Sequence, residues 1–267
     1  MIARAFIVLI AAAFPAAASA RALSTDFCAD QYLLALADPA DIAALSPDAD
    51  KDFSYMRAKA EGVRRSRPGA ETALALSPDV VLRFWGGDEA RLKALGLNVV
   101  TLEYASDFDG VKANIAAAAA ALGEDARGRD LIKAIDARLD YLGHRKGPHP
   151  AALYVTPGGV TAGKGTMIDA ILGAAGVRNI AAENGLAYWG SLPAEAVVAD
   201  PPALIVTGFF SANSERINHW SAARHPAFRK IFGETPTIHL STDVLSCPGW
   251  FSLDAAETIA DALEEQK

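Results

Sequence analysis

The stretch Glu71-Thr-Ala-Leu-Ala-Leu-Ser-Pro78-Asp-Val-Val-Leu82 decides the fold class, because its pattern recurs at Glu195-Ala-Val-Val-Ala-Asp-Pro-Pro202-Ala-Leu-Ile-Val206. In both stretches the proline follows the glutamate by seven positions, and a short apolar run comes next. Proline ends the helix before it, and a short β-branched run is typical of a strand that is covered on both faces. The repeat therefore predicts an α/β fold of two lobes with mainly parallel sheets.

The sequence around the two repeats predicts the remaining elements. Residues 98–102 and 151–155 are short apolar runs typical of strands, and residues 166–175 predict a helix after a glycine-rich loop. Residues 108–122 and 124–142 contain no proline and predict two helices, of which the second would be about 28 Å long. That length suffices to brace two lobes, although an ordinary amphipathic helix within one domain would show the same pattern.

These elements divide the chain into four expected segments. They are a signal peptide at 1–20, an N-terminal α/β lobe at 21–106, a connecting helical segment at 107–147 and a C-terminal α/β lobe at 148–267. In the first segment, Arg4 precedes a short apolar run and the small residues Ala18-Ser-Ala20, which is the layout of a secretory signal. The apolar run is shorter than the ~20 residues of a membrane-spanning helix, so cleavage and a periplasmic location are favoured over an anchor.

Charge and cysteine content restrict the class of protein further. Acidic residues outnumber basic ones by 32 to 25, and no basic stripe typical of nucleic-acid binding is present. The two cysteines, Cys28 and Cys247, could form a disulfide in an oxidising compartment, but the sequence leaves open whether they meet. Without clustered histidines, two thiols also make a weak zinc site.

No catalytic motif stands out. Residues 158–166 nearly match a phosphate-binding loop, but Gly165 occupies the position of the required Ser or Thr, so a tight strand-to-helix turn is the better interpretation. The chain has no nucleophile elbow and no His-Glu-x-x-His motif, and its five histidines do not group at ligand spacing. We therefore expect that the protein is not an enzyme.

Aromatic residues lie where strands are predicted to end or helices to begin: Phe84, Trp85, Tyr188, Trp189, Phe209 and Phe210. Such positions border the ligand crevice of an α/β lobe. The glycines beside Trp85 and Trp189 indicate loops, which favours the crevice over the core for both indoles. For Phe209 the crevice and the core remain equally open.

Short motifs along the chain resemble the class III periplasmic binding proteins for vitamin B12, siderophores and haem. In order, they are Leu23-Ser24 with Cys28-Ala-Asp30, Asp41 to Ser46, Glu71 to Leu82, Leu95 to Val100, Thr161 to Thr166 with Ala175 to Asn179, His225-Pro226-Ala227, and Asp243 to Gly249. Each motif is modest, but their number and order over nearly the whole chain after residue 20 make the combination specific.

The resemblance implies two lobes joined by one long backbone helix, with little hinge motion and no cofactor. It also implies that Glu71 and Glu195 occupy matching outer corners and pair with arginines of the membrane permease of an ABC importer. The repeat supports this independently, since two equivalent carboxylates suit a two-fold symmetric partner. The alternative is that both glutamates are ordinary solvated helix residues. We expect a monomer that binds no nucleic acid.

Within that family, residues 83–91 are most similar to the vitamin B12-binding members, which implies a corrinoid ligand. The two cysteines depart from that pattern. Two alternatives therefore stay open: the ligand is a ferric siderophore or haem, or the protein is a metal carrier that uses the thiols. Arg83 and Arg216 could serve an anionic siderophore. The ligand would be a metal complex, either cobalamin or a ferric chelate, and its candidate contacts are Trp85, Trp189, Tyr188, Phe84, Gly86, Cys28, Tyr55, Phe209, Asp243 and Cys247.

Overall fold

The computed structural model describes residues 19–145, 147, 149–209, 231 and 233–265. Several predictions of the sequence fall outside these residues: nearly all of the signal peptide (1–18), Phe210, Arg216 and the motif at 225–227. Within the described ranges, no helix combines the length and the apolar character that a membrane crossing requires.

The N-terminal lobe is a four-stranded sheet with helices packed on it. Its elements are β1 (Ala22–Ser24), α1 (Phe27–Leu36), β2 (Ile42–Ala44), α2 (Ala70–Leu76), β3 (Val80–Arg83), α3 (Glu89–Ala94) and β4 (Val99–Thr101). All strands are parallel, and their order is β2-β1-β3-β4. Since the carboxyl ends of parallel strands share one edge, the segments after these four strands emerge on the same side of the sheet.

Two helices follow, α4 (Phe108–Leu122) and α5 (Asp125–Gly143). Helix α4 packs on α1, β3 and β4, and α5 runs along α4 and then contacts the C-terminal lobe. The α4–α5 approach is close because Gly128 lacks a side chain: a Cβ there would lie 2.5 Å from the Cβ of Ala119. Of the predicted connecting segment, α5 is the part that leads from one sheet to the other.

The C-terminal lobe contains the other elements of the described residues. They are β5 (Ala151–Val155), β6 (Thr161–Ala162), α6 (Met167–Ala174), β7 (Arg178–Asn179), α7 (Ile180–Glu183), β8 (Trp189–Gly190), α8 (Ala194–Ala199), β9 (Leu204–Thr207), β10 (Thr237–His239) and α9 (Ser252–Glu265). Strands β10-β9-β5-β7 form a second parallel sheet, whereas β6 and β8 form a separate antiparallel pair.

The two sheets have the same topology. If the four strands of each sheet are counted in chain order, the first strand lies between the second and the third, and the fourth lies at the edge beside the third. The burial pattern also repeats. In both 71–75 and 195–199, the five successive residues are exposed, half-buried, buried, exposed and exposed. The predicted fold class, two α/β lobes of mainly parallel sheet, is confirmed. The antiparallel β6–β8 pair is a difference, because two-residue strands leave no periodic signal.

The segment after β10 lies against both lobes. The Tyr32 hydroxyl of α1 donates a hydrogen bond to the carbonyl of Pro248 at 3.1 Å, and the Tyr55 ring stacks on Phe251 with ring centroids 4.6 Å apart. Arg138 of α5 donates to Asp254 at 2.6 Å in the first turn of α9. These contacts join both lobes and the connecting helix into one continuous core.

Candidate ligand-binding cleft

A cavity of about 200 Å³ opens between the two lobes. We call it the inter-lobe cavity. It is lined by Trp85 and Tyr104 of the N-terminal lobe and, on the other side, by Met167, Ile168, Ile171, Trp189, Phe209, Leu245, Ser246, Pro248 and Ser252. Several of these residues directly follow strands of the two sheets, so the cavity lies where the carboxyl edges of the sheets face each other.

The turn that carries Trp85 is held by one buried carboxylate, that of Asp26. Its Oδ2 accepts hydrogen bonds from the backbone N–H groups of Phe84 at 2.8 Å and Gly86 at 3.0 Å, and a longer one from Trp85. Its Oδ1 accepts from the N–H of Ala29 at 3.0 Å and so caps α1. One side chain therefore fixes both the start of α1 and the aromatic turn after β3.

Gly86 allows this turn to approach β1 closely, because a Cβ at this position would lie 2.5 Å from the carbonyl oxygen of Thr25. Phe84 packs inward against Tyr32, whereas Trp85 remains 53% exposed with its edge against Phe27. Phe84 and Gly86, both predicted as ligand contacts, thus support the Trp85 indole from behind and do not line the inter-lobe cavity.

The glycine-rich segment of the C-terminal lobe positions Trp189. Strand β6 pairs with β8, so that Ala162 lies opposite Trp189, and the N–H of Gly163 donates to the carbonyl of Tyr188 at 2.7 Å. A Cβ at Gly163 would overlap the backbone of Leu186, so glycine is required there. The segment that nearly matches a phosphate-binding loop therefore forms a turn into α6 and holds the Trp189 indole, 45% exposed, at the cavity.

Backbone strain is concentrated beside the cavity. Tyr188 and Phe209 adopt left-handed conformations with φ of 59° and 60°. Such angles disfavour large side chains by roughly 1–3 kcal/mol each and persist only where the surroundings impose them. Phe209 lines the inter-lobe cavity, whereas Tyr188 points to solvent next to Trp189. Of the sequence-predicted contacts, the structure brings Trp85, Trp189 and Phe209 together around one cavity.

The two cysteines form a disulfide. Cys28 is 0% exposed and Cys247 is 2% exposed, and neither lines the inter-lobe cavity, whereas Ser246, whose carbonyl lies 3.9 Å from the Cys28 sulfur, does. These positions correct the expectation that the cysteines contact the ligand. They also correct the alternative of a metal carrier that uses the thiols, because a disulfide offers no thiolate for a metal.

Tyr55 and Asp243 lie outside the cavity lining and connect the lobes. The Tyr55 hydroxyl donates to Asp254 at 2.7 Å, and burial together with that carboxylate raises the pKa of Tyr55 to about 12. Asp243 pairs with Arg57 at 2.8 Å. Burial would raise the pKa of Asp243, but hydrogen bonds from Ser241 and Arg57 outweigh it and lower that pKa below its usual range. Both predicted contacts therefore act between lobes in this structure.

Arg83, considered for an anionic ligand, is engaged within its own lobe. It donates to Glu89 at 2.7 Å, to Thr101 at 3.1 Å and to the carbonyl of Gly86 at 3.0 Å. The cavity lining formed by described residues is consequently aromatic and aliphatic, with two serine hydroxyls and no charged side chain.

Sequence reasoning missed most of the lining on the C-terminal side, and also Tyr104 and Asp26. Tyr104 follows β4, so the rule that placed Trp85 at a strand end could have found it. Asp26 follows β1 and precedes a helix, which is the position of an N-cap. Met167, Ile168 and Ile171 carry no such signal, because apolar residues on a helix more often form core.

Glu71 and Glu195 are both exposed at the surface of their lobes. Each has an exposed aliphatic residue three positions later, Leu74 at 50% and Val198 at 43%, on the same helix face. Each of the two surfaces therefore presents a carboxylate beside an apolar side chain, in equivalent positions of the repeat.

Comparison with known proteins agrees with this architecture. A family model described as periplasmic binding protein matches residues 22–219. A cobalamin-binding protein from Halobacterium salinarum is 32% identical over 166 residues, which cover 57% of this chain and 43% of that protein. The chain thus spans less than half the length of this relative.

Solved structures show the same fold. The periplasmic haem-binding protein RhuT from Roseiflexus sp. RS-1, in its apo form, superposes with a TM-score of 0.71 at 22% identity, covering 92% of this chain and 99% of that one. The periplasmic haem-binding protein HutB of Vibrio cholerae gives a TM-score of 0.73 at 19% identity, covering 91% and 98%. The repeated sheets, the cavity between them and the match over residues 22–219 establish that the chain belongs to the periplasmic binding protein family, whose members are substrate-binding transport proteins and not enzymes.

Proposed function

We propose that this protein captures a corrinoid in the inter-lobe cavity and delivers it to the membrane permease of an ABC importer. The observation that carries the proposal is the position of two half-exposed indoles, Trp85 and Trp189, in the walls of one apolar cavity between two lobes. Burying an indole against a ligand removes about 150–250 Å² from water, which at about 25 cal/mol per Å² contributes several kcal/mol.

The size and polarity of the cavity support a particular way of binding. Its volume of about 200 Å³ is below the roughly 300–1,000 Å³ of sites that enclose a whole drug-sized ligand. A macrocycle would therefore insert one edge and lie against the indoles. Because the described lining carries no charged side chain, it suits the amide rim of a corrinoid better than the charged groups of an anionic siderophore.

Haem is the second candidate, because a flat porphyrin also suits aromatic walls. The haem-binding proteins of the same fold lie below 25% identity, so they support only the architecture. The relative at 32% identity is named a cobalamin-binding protein, and this supports a corrinoid as the first candidate.

The docking role of Glu71 and Glu195 belongs to the same proposal. Their equivalent positions suit a permease dimer that presents, in each half, a cation beside an apolar surface. Exposed ion pairs contribute little energy, so the carboxylates would chiefly set the orientation of the complex.

The test is a titration of the purified protein, followed by quenching of tryptophan fluorescence, with cyanocobalamin, haemin and a ferric hydroxamate in parallel. We expect saturable quenching by cyanocobalamin at the lowest concentrations. Tighter binding of haemin would reassign the ligand to the second candidate, and no saturable binding of any probe would refute the proposal.

A further inference from the structure

Tyr154, in the central strand β5 of the C-terminal lobe, carries a buried hydroxyl that has no hydrogen-bond partner among the residues that the structure describes. Burial raises the pKa of the Tyr154 hydroxyl above its ordinary value, so the hydroxyl stays protonated and is a potential hydrogen-bond donor. A buried hydroxyl without a partner destabilises a fold, and phenylalanine would fill the same space without that cost. Packing of β5 therefore does not explain why this residue is a tyrosine.

The hydroxyl lies directly behind the wall of the inter-lobe cavity. The Tyr154 ring packs edge-on against Trp189, with ring centroids 6.1 Å apart. A Cβ built on Gly208 would lie 2.5 Å from the phenol oxygen and would also overlap the side chain of Leu245. Trp189 and Leu245 both line the cavity, and Gly208 immediately precedes Phe209, which lines it too. Two wall residues, Trp189 and Leu245, thus lie beside this donor, and a third, Phe209, follows the glycine that borders it.

Leu245 is the wall residue whose side chain lies beside the hydroxyl, since a Cβ built on Gly208 would meet both. Leu245 is only half-buried and sits on the segment after β10, so a change of its rotamer needs no movement of a strand. The absence of a side chain at Gly208 leaves space for the phenol oxygen at this end of β5. An acceptor that displaces the Leu245 side chain would then meet the hydroxyl.

We propose that the Tyr154 hydroxyl donates a hydrogen bond to an acceptor oxygen on the rim of the bound ligand, either an amide or a carboxylate oxygen. This inference rests on the proposed ligand-binding function and adds a determinant of specificity to it. It makes the C-terminal wall selective for ligands with a polar rim, since a ligand without an acceptor would leave the donor unpaired and more deeply buried.

The test compares Tyr154→Phe with Tyr32→Phe, because the Tyr32 hydroxyl already donates to the carbonyl of Pro248. Thermal unfolding is measured without ligand, and affinity is measured with cyanocobalamin, whose rim carries amides, and with haemin, whose rim carries carboxylates. For Tyr154→Phe we expect a Tm that is unchanged or higher by roughly 2–4 °C, together with a Kd raised about 5–20-fold for the probe that binds wild type. For Tyr32→Phe, which removes a satisfied hydroxyl, we expect a lower Tm.

A lower Tm for Tyr154→Phe would show that the hydroxyl is already satisfied in the free protein and would overturn the inference. An unchanged Kd would overturn it as well, while leaving the proposed function intact. Failure of wild type to bind either probe would instead refute the proposed ligand class and, with it, the inference.

Discussion

Cys28, in the first turn of α1, and Cys247, in the segment after β10, are joined by a disulfide with their Cα atoms 5.6 Å apart. They are 219 positions apart in the sequence and belong to different lobes. The neighbours of Cys247, Ser246 and Pro248, line the inter-lobe cavity. The disulfide therefore ties one wall of the cavity to the other lobe and holds the distance between the two sheets at this point.

Removing this disulfide should destabilise the protein. Closing so long a loop restricts the unfolded chain, and we expect Cys28→Ala with Cys247→Ala to lower the free energy of unfolding by about 2–5 kcal/mol. Urea unfolding with and without a reductant measures the effect. The reductant should lower the midpoint of wild type and leave that of the double variant unchanged. An unchanged wild-type midpoint would contradict the prediction.

Replacing both Trp85 and Trp189 with alanine should abolish ligand binding while the fold persists, because neither indole belongs to the buried core. Isothermal titration calorimetry with cyanocobalamin measures affinity, and circular dichroism checks the fold. Tyr141→Ala is the control, since this exposed aromatic residue lies on α5 away from the cavity. An affinity equal to that of wild type in the double variant would exclude the inter-lobe cavity as the site.

Asp26 should matter for both stability and binding. In Asp26→Ala, the N–H groups of the turn at residues 84–86 lose their acceptor, so we expect a loss of about 2–4 kcal/mol in unfolding free energy and weaker ligand binding. Asp107→Ala is the matched control: Asp107 caps α4 by accepting from Gly110 at 2.8 Å and does not itself line the cavity. The Asp107→Ala variant should lose about 1 kcal/mol of unfolding free energy and keep the ligand affinity of wild type. Equal binding defects in the two variants would refute a specific role for Asp26.

Asp30 should make stability depend on pH. Burial raises its pKa from 3.8 to about 6, although hydrogen bonds from Ser24 and Ser46 oppose the rise. Since the folded-state pKa exceeds the unfolded value, the protonated carboxyl stabilises the fold below about pH 4, and this contribution disappears as the pH rises through 6. The difference in unfolding free energy, wild type minus Asp30→Asn, should therefore fall by up to about 3 kcal/mol between pH 4 and 7.

Urea unfolding at a series of pH values measures this difference. Asp52→Asn, at an exposed position, is the control and should give a difference that is nearly independent of pH. A wild-type minus Asp30→Asn difference that increases with pH would show that the buried carboxyl is stabilised in its charged form.

The double variant Glu71→Ala with Glu195→Ala should keep ligand affinity and lose transport in a reconstituted importer. Both side chains are exposed and neither lines the inter-lobe cavity, so only the contact with the permease should change. Glu61→Ala, another exposed glutamate of the N-terminal lobe, controls for the loss of charge. Leu74→Ser with Val198→Ser should weaken docking as well. Normal uptake by the glutamate double variant would refute the docking role.

The sequence by itself determined the longer helices, the strands of the repeat and the class of fold. The strands at 80–83 and 204–207 follow the prolines of the repeat, and the alanine-rich segment from 108 to 122 is a helix over the predicted residues. Such features are local, since a strand or helix depends on periodicity and on stop signals within about ten residues. The aromatic residues at strand ends could be assigned to a crevice because the carboxyl ends of parallel strands share an edge.

Only the tertiary structure decided which distant residues meet. It paired Cys28 with Cys247, and it engaged Tyr55 and Asp243 in contacts between the lobes, with Asp254 and Arg57 as their partners. It also brought the first turn of α6 into the cavity wall. The paired residues are separated by 219, 199 and 186 positions, so none of these contacts leaves a local pattern. Packing of that kind is set by the complementarity of whole surfaces, which a linear sequence does not display.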